Sequence, residues 1–187
     1  MNEPSAPPKQ SAENVVAFWL AAGQDRWYEP NEAFDAEIRE RFKATYDDGA
    51  AGRLHGWETR REGALALVIV LDQFPRNMFR GSARSYAADP LARAVAQRAI
   101  ARGFDLLIAV PARAFFYLPF EHSEDLADQE RCITLMRGTG DTHLVEWAVL
   151  HADIIRRFGR FPHRNAVLGR TTTAEEQAFL DAGGFAG

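Results

Sequence analysis

Cysteine occurs once in the 187 residues, at Cys132. That excludes an internal disulfide framework, a CxxC redox pair and a zinc knuckle, and it fits a reducing, cytoplasmic setting. Lysine is nearly as scarce, at Lys9 and Lys43 only, so arginine carries almost all of the positive charge. Arginine makes planar forked bonds to carboxylates and phosphates, although GC-rich coding produces the same bias. The 22 Lys and Arg are outnumbered by 26 Asp and Glu, for a net charge of −4. No global field therefore favours nucleic acid or an anionic membrane. The longest apolar run, Ala64–Leu71, is stopped by Asp72, far short of the roughly 20 residues a bilayer span needs. The opening MNEPSAPPKQS has no apolar stretch. Residues 1–11 are therefore predicted to be a flexible polar tail and not a signal peptide. Also missing are period-two alternation, an HExxH pair, a GxSxG elbow and a repeat of fixed length. No metal and no cofactor is expected.

With 47% hydrophobic residues, the remainder is large enough to bury a core, and residues 12–187 are predicted to form a single α-helical domain. About eight helices are expected, stacked as antiparallel hairpins because the connections are short. Val15, Phe18 and Trp19 mark a helix over 12–22 that stops at Gly23. Asn31 caps a second, with Phe34, Ile38 and Phe42 at a spacing of four. Thr59 and Glu62 have the form of a capping box ahead of the apolar run, and Pro75 is expected to end that helix. Asp89 and Pro90 read as N-cap and first-turn proline of a helix running to Gly103. Pro111 is expected to start a short helix that Pro119 breaks, and Ser123 to cap the next, which runs to Gly138. A long helix spans Thr142–Phe158, with Leu144, Trp147, Ile154, Ile155 and Phe158 on its apolar face. Thr173 and Glu176 form a second capping-box pattern.

Ionisable side chains gather in three Pro-containing segments: LDQFPRNMFRG (71–81), FYLPFEHSED (116–125) and HADIIRRFGRFPHRNAVLGR (151–170). His151 follows Trp147 by four and precedes Ile155 by four, so its imidazole is expected inside. There it is either a core histidine bonded to a backbone carbonyl or a neutral base. Asp72 sits on a helix apolar nearly all round and must find a cation, with Arg76, Arg80 or an arginine from 156–164 as candidates. Glu121 and His122 precede the predicted cap and are free to serve a site. Arg156, Arg157, Arg160, His163 and Arg164 crowd a helix end and a Gly/Pro turn. They suit either an anion held by forked bonds or the docking of a loop through carboxylates. Cys132 has no acid–base partner nearby in sequence and is expected to pack in the core.

These three segments, with the early VVAFWL, resemble the bacterial family known as domain of unknown function 924, over about residues 14–182. The resemblance implies a tetratricopeptide-repeat-like α-α superhelix. It carries no activity and no catalytic residue.

Two functions follow as expectations. The first is a polar pocket for an anionic small molecule, phosphate or carboxylate, with Asp72, Arg76, Arg156, Arg160, His163 and Arg164 as ligand-binding residues. His151, His122 and Glu121 are then the catalytic candidates. The second is a non-catalytic scaffold that binds a peptide or protein partner, for which fold analogy is the warrant. Neither nucleic acid nor membrane is expected as a partner.

Overall fold

The computed structural model describes residues 9–185, and among these no residue lies in a strand. The chain is all-α, as expected. Its contacts fall into two compact units. One holds the residues up to Arg80 together with Arg84–Phe116, and the other holds Gly81–Ala83 and the residues from Tyr117 on.

The first unit contains α1 (Ala12–Ala22), α2 (Gln24–Trp27), α3 (Glu32–Ala50), α4 (Arg61–Val68), α5 (Phe74–Met78) and α6 (Asp89–Ala101). Ser11 caps α1 by accepting the Asn14 amide, and Asn31 caps α3 by accepting that of Phe34. The first eight residues of the predicted tail lie outside the described residues. Its last part is tied down: Lys9 pairs with Asp48 at 2.7 Å, and the Gln10 amide donates to Thr45 Oγ1. Helix α4 packs on α1 and α6, while α3 packs on α5. Aromatic rings fill the space between them. Phe74 stands 4.7 Å from Phe42 and 5.7 Å from Trp19, and Trp19 lies 5.7 Å from Phe115. Such ring pairs add about 1 kcal/mol each to what their buried area contributes.

Three sequence expectations fail here, each for a local reason. Thr59 does not cap α4, because its hydroxyl donates to the Gly56 carbonyl within a 3-10 turn over His55–Thr59. The same turn passes so close to α4 that a Cβ on Gly63 would lie 2.2 Å from the Trp57 carbonyl oxygen, which leaves glycine as the residue that fits. Pro75 does not end its helix. A π turn over Ile69–Gln73 widens the coil, the Phe74 amide reaching back to the Ile69 carbonyl, and Pro75 then falls in the first turn of α5. A missing N–H is tolerated there. Asp89 is the first residue of α6 and not its cap, because its carboxylate is taken by Arg76.

The second unit contains α7 (Leu118–Glu121), α8 (Leu126–Arg137), α9 (Thr142–Phe158) and α10 (Ala174–Asp181). Pro119 sits in the first turn of α7, so it opens a helix where a break was expected. Asp125, not Ser123, caps α8. The Ser123 hydroxyl instead accepts the Asp125 amide and donates to Asp128. Helices α8 and α9 pack on each other across the short link at Gly138–Asp141. Gly159 closes α9 with φ +69°, a conformation costly for any other residue. Thr173 and Glu176 form the predicted capping box of α10. The apolar face of α9 departs from the expectation at Trp147, which is 41% exposed, whereas Ala148, Ala152, Ile154 and Ile155 are buried.

Candidate functional site

Helix α9 carries His151 inward, as its spacing predicted, and the imidazole is 6% exposed. Its Nδ1 lies 2.9 Å from the Trp147 carbonyl oxygen one turn earlier. Because that oxygen can only accept, Nδ1 carries a proton. Helix α7 brings Glu121 to the same nitrogen, with Oε1 at 3.6 Å. Glu121 is itself 5% exposed. Pro119 starts the turn that aims it inward, and Gln129 of α8 holds the turn by donating to the carbonyls of Glu121 and Ser123.

Cys132, on α8, completes the inner side. Its Sγ is 3.8 Å from Glu121 Oε2 and 3.6 Å from the Tyr117 carbonyl. Burial first, and then the Glu121 carboxylate, push its thiol well above the ordinary cysteine range. It is buried, as expected, and the fold brings to it an acid that lies eleven positions away in sequence.

The loop after α9 supplies the opposite wall. Phe161 is fully buried and acts as a hub. Its ring is 5.6 Å from that of His151 and 5.7 Å from that of His163, and the Arg164 guanidinium lies over it at 4.4 Å. Arg164 Nη1 also donates to the His122 carbonyl at 3.0 Å. His163 is held neutral. Burial, followed by the charge of Arg164 and the neighbouring His151, lowers its pKa to about 3. Its Nδ1 is buried with no hydrogen-bond partner among the described residues. Phe185 covers this pair from the far side, with ring centroids 4.5 Å from His151 and 5.2 Å from His163. Beyond Phe185 an apolar groove of about 680 Å³ runs along α9 towards Phe179.

The structure thus gathers Glu121, His122, His151, His163 and Arg164 in one cluster of the second unit. It does not bring Arg156 or Arg160 there. Arg156 pairs with Asp153 at 2.7 Å and with Glu130 at 3.7 Å, and Arg157 with Glu175 at 3.0 Å. Arg160 makes a forked bond to Glu176, at 2.6 and 2.8 Å, and reaches the Thr171 carbonyl. That guanidinium, with the Thr173 amide, holds the Glu176 carboxyl down at about 2. Asp72 and Arg76 belong to the first unit. There Arg76 bridges Asp72 and Asp89, bonding Asp89 in a fork with both distances 3.0 Å. Burial disfavours its charge, but the two carboxylates outweigh that and raise its pKa. Arg80, the other candidate partner, is taken by Asp35 at 2.9 Å.

Several members of the cluster escaped the sequence reading. Phe161 sat between arginines and looked like part of a charged turn. Glu124 binds Arg170 at 2.7 Å and accepts the Phe161 amide at 2.9 Å. Its burial raises its pKa, and these bonds more than offset that. Phe185 stands in a short glycine-rich end that carries no periodic signal.

A buried glutamate and two imidazoles walled by phenylalanine define the class: an all-helical protein with an enclosed ionisable cluster in its second unit. The chain belongs to the family described as bacterial protein of unknown function, DUF924, which it matches over residues 15–184. It is similar to the solved structure of a protein of unknown function from Agrobacterium tumefaciens. The two are 47% identical with a TM-score of 0.89, over 91% of this chain and 97% of that one. No curated protein matches the chain.

Proposed function

We propose that the second unit binds a small anionic molecule, a carboxylate or phosphate, at the His151–His163 cluster, with His151 as a base. The observation that carries this reading is the buried contact between Glu121 and His151, 3.6 Å apart. A carboxylate and a carbonyl on Nδ1 orient the ring and raise the proton affinity of Nε2, the arrangement a general base needs. Nδ1 of His163 supports the same reading, since a buried imidazole nitrogen without a partner is costly unless something fills the role. Arg164, 6% exposed, supplies positive charge beside it. Arg156, Arg160, Asp72 and Arg76 take no part. The three arginines are occupied by carboxylates of their own units, Asp72 by Arg76, and all act as internal ion pairs.

The test is a histidine-detected NMR titration of the full chain with small carboxylates and phosphomonoesters. Saturable shifts of the His151 and His163 ring signals are expected in the wild type, with the His151 shift weakened in His163→Gln while the fold is unchanged. Ring signals that no member of the panel moves would overturn the reading.

A further inference from the structure

The groove outside Phe185 has a property that the buried cluster does not use. Its floor is one face of α9, made of residues at a spacing of one and four from Val145 to Phe158. Leu150 there is 39% exposed, and Trp147 on the adjoining face 41%. Rows of side chains four apart are the ridges along which two helices interdigitate.

We infer that this α9 face docks a second copy of the same chain, helix against antiparallel helix, about a twofold axis between positions 151 and 152. The argument is self-complementarity, which an isologous contact demands because each residue must suit the one it meets. Such an axis sets Val145 against Phe158 of the other copy, apolar against apolar, and brings Val149 over the groove floor at Ile154, which is itself 6% exposed. It sets Glu146 against Arg157, acid against base, and does so twice. Helical rise places Glu146 and Arg157 about 8 Å either side of the axis, within reach of long side chains on crossed helices. Only Leu150 opposite Asp153 is mismatched in type. Asp153 is already neutralised by Arg156 at 2.7 Å, so Leu150 meets an ion pair and not a bare charge.

Both charged residues are held by exposed contacts. Glu146 is 77% exposed and meets the His143 ring at 3.9 Å; the Arg157 pair with Glu175 is exposed on both sides, and its guanidinium lies over the Phe158 ring at 4.6 Å. An exposed pair of that kind contributes ~0–1 kcal/mol, so exchanging it across an interface costs little. The groove is lined by 12 residues, fewer than the ~20–30 per side of a standard interface. The dimer is therefore one that dissociates on dilution.

Sedimentation velocity on the full chain over a concentration series tests this, with circular dichroism to verify folding. Wild type is expected to shift from monomer to dimer as concentration rises. Glu146→Arg and Arg157→Glu each place like charges together twice and should weaken association at least ~10-fold. The double variant carrying both should recover it, since the pair is restored with its signs exchanged. Val149→Asp should abolish it. A chain that stays monomeric at millimolar concentration overturns the inference. So does a dimer indifferent to the single reversals, or a double variant no better than either single.

Discussion

Glu121 and His151 meet 3.6 Å apart in the interior of the second unit, on a ring nitrogen that the Trp147 carbonyl also holds. The carbonyl, within hydrogen-bond distance of that nitrogen, fixes the tautomer, and the carboxylate stands beside it. Nitrogen-detected NMR should therefore find the His151 proton on Nδ1 near neutral pH. Glu121→Gln should keep the tautomer, because the carbonyl remains, while lowering the basicity of the ring. A proton found on Nε2 in the wild type would contradict the geometry.

His163 gives the protein a specific acid sensitivity. Its pKa is about 3 in the folded chain, against an ordinary 6.5. Between those values the unfolded chain binds the extra proton, so stability rises with pH across that window and falls as the solution is acidified below about 6.5. Above it both states are neutral and the residue adds no pH dependence. Melting temperatures of wild type and His163→Phe from pH 7.5 down to 4.5 should diverge, the wild type falling more steeply. Parallel curves would show that this histidine is not held neutral.

Arg76 sits between two carboxylates of the first unit, Asp72 fully buried and Asp89 nearly so. Arg76→Ala leaves both without their cation and should cost about 3–5 kcal/mol in urea unfolding. Arg76→Lys keeps the charge but loses the forked bond to Asp89, so an intermediate loss is expected. A loss under 1 kcal/mol for the alanine variant would mean that the two acids find other partners.

Glu176 closes the α10 capping box and takes the fork from Arg160. Glu176→Gln should destabilise the chain by about 2 kcal/mol at neutral pH. With its folded pKa at about 2, the wild-type carboxylate gives its full stabilisation above the ordinary glutamate range, near 4.5, and loses it as pH falls towards 2. The gap between wild type and variant should shrink over that interval. A gap constant from pH 6 to 2.5 would place the effect in packing and not in charge.

Cys132, buried beside Glu121 with its thiol raised, should react with a thiol reagent at neutral pH only after unfolding. Fast stoichiometric labelling of the native chain would rule out the enclosed cluster.

How much of this could be read from residues alone depended on whether the signal was local. Helix α9 was found at its true ends because Asp141, Thr142 and Gly159 act within one turn. The box at Thr173 and Glu176 was legible for the same reason. Thr59, Asp89 and Ser123 had equally good local patterns and failed, because Gly56, Arg76 and Asp128 took the side chains. Burial of His151 and Asp72 followed from their spacing on apolar helices. Their partners did not, since Glu121 lies thirty positions from His151 and the choice of Arg76 over Arg80 for Asp72 depends on Asp35. The partners of Arg156 and Arg160 in the arginine-rich turn were not legible, because the acids that pair with them, Glu130 and Glu176, come from other helices.

The widened turn over Ile69–Gln73 behaves as a helix that has absorbed one additional amino acid without breaking. Excising any single residue from that stretch would let the coil tighten to its ordinary pitch and leave everything beyond it in nearly its present phase, because the wide turn is what takes up the additional residue. Pro75 would then fall in mid-helix, its ring against the carbonyl one turn earlier. A one-codon deletion there should therefore keep Arg76 facing Asp89 and cost chiefly the strain at Pro75, while a second insertion has no slack left to occupy.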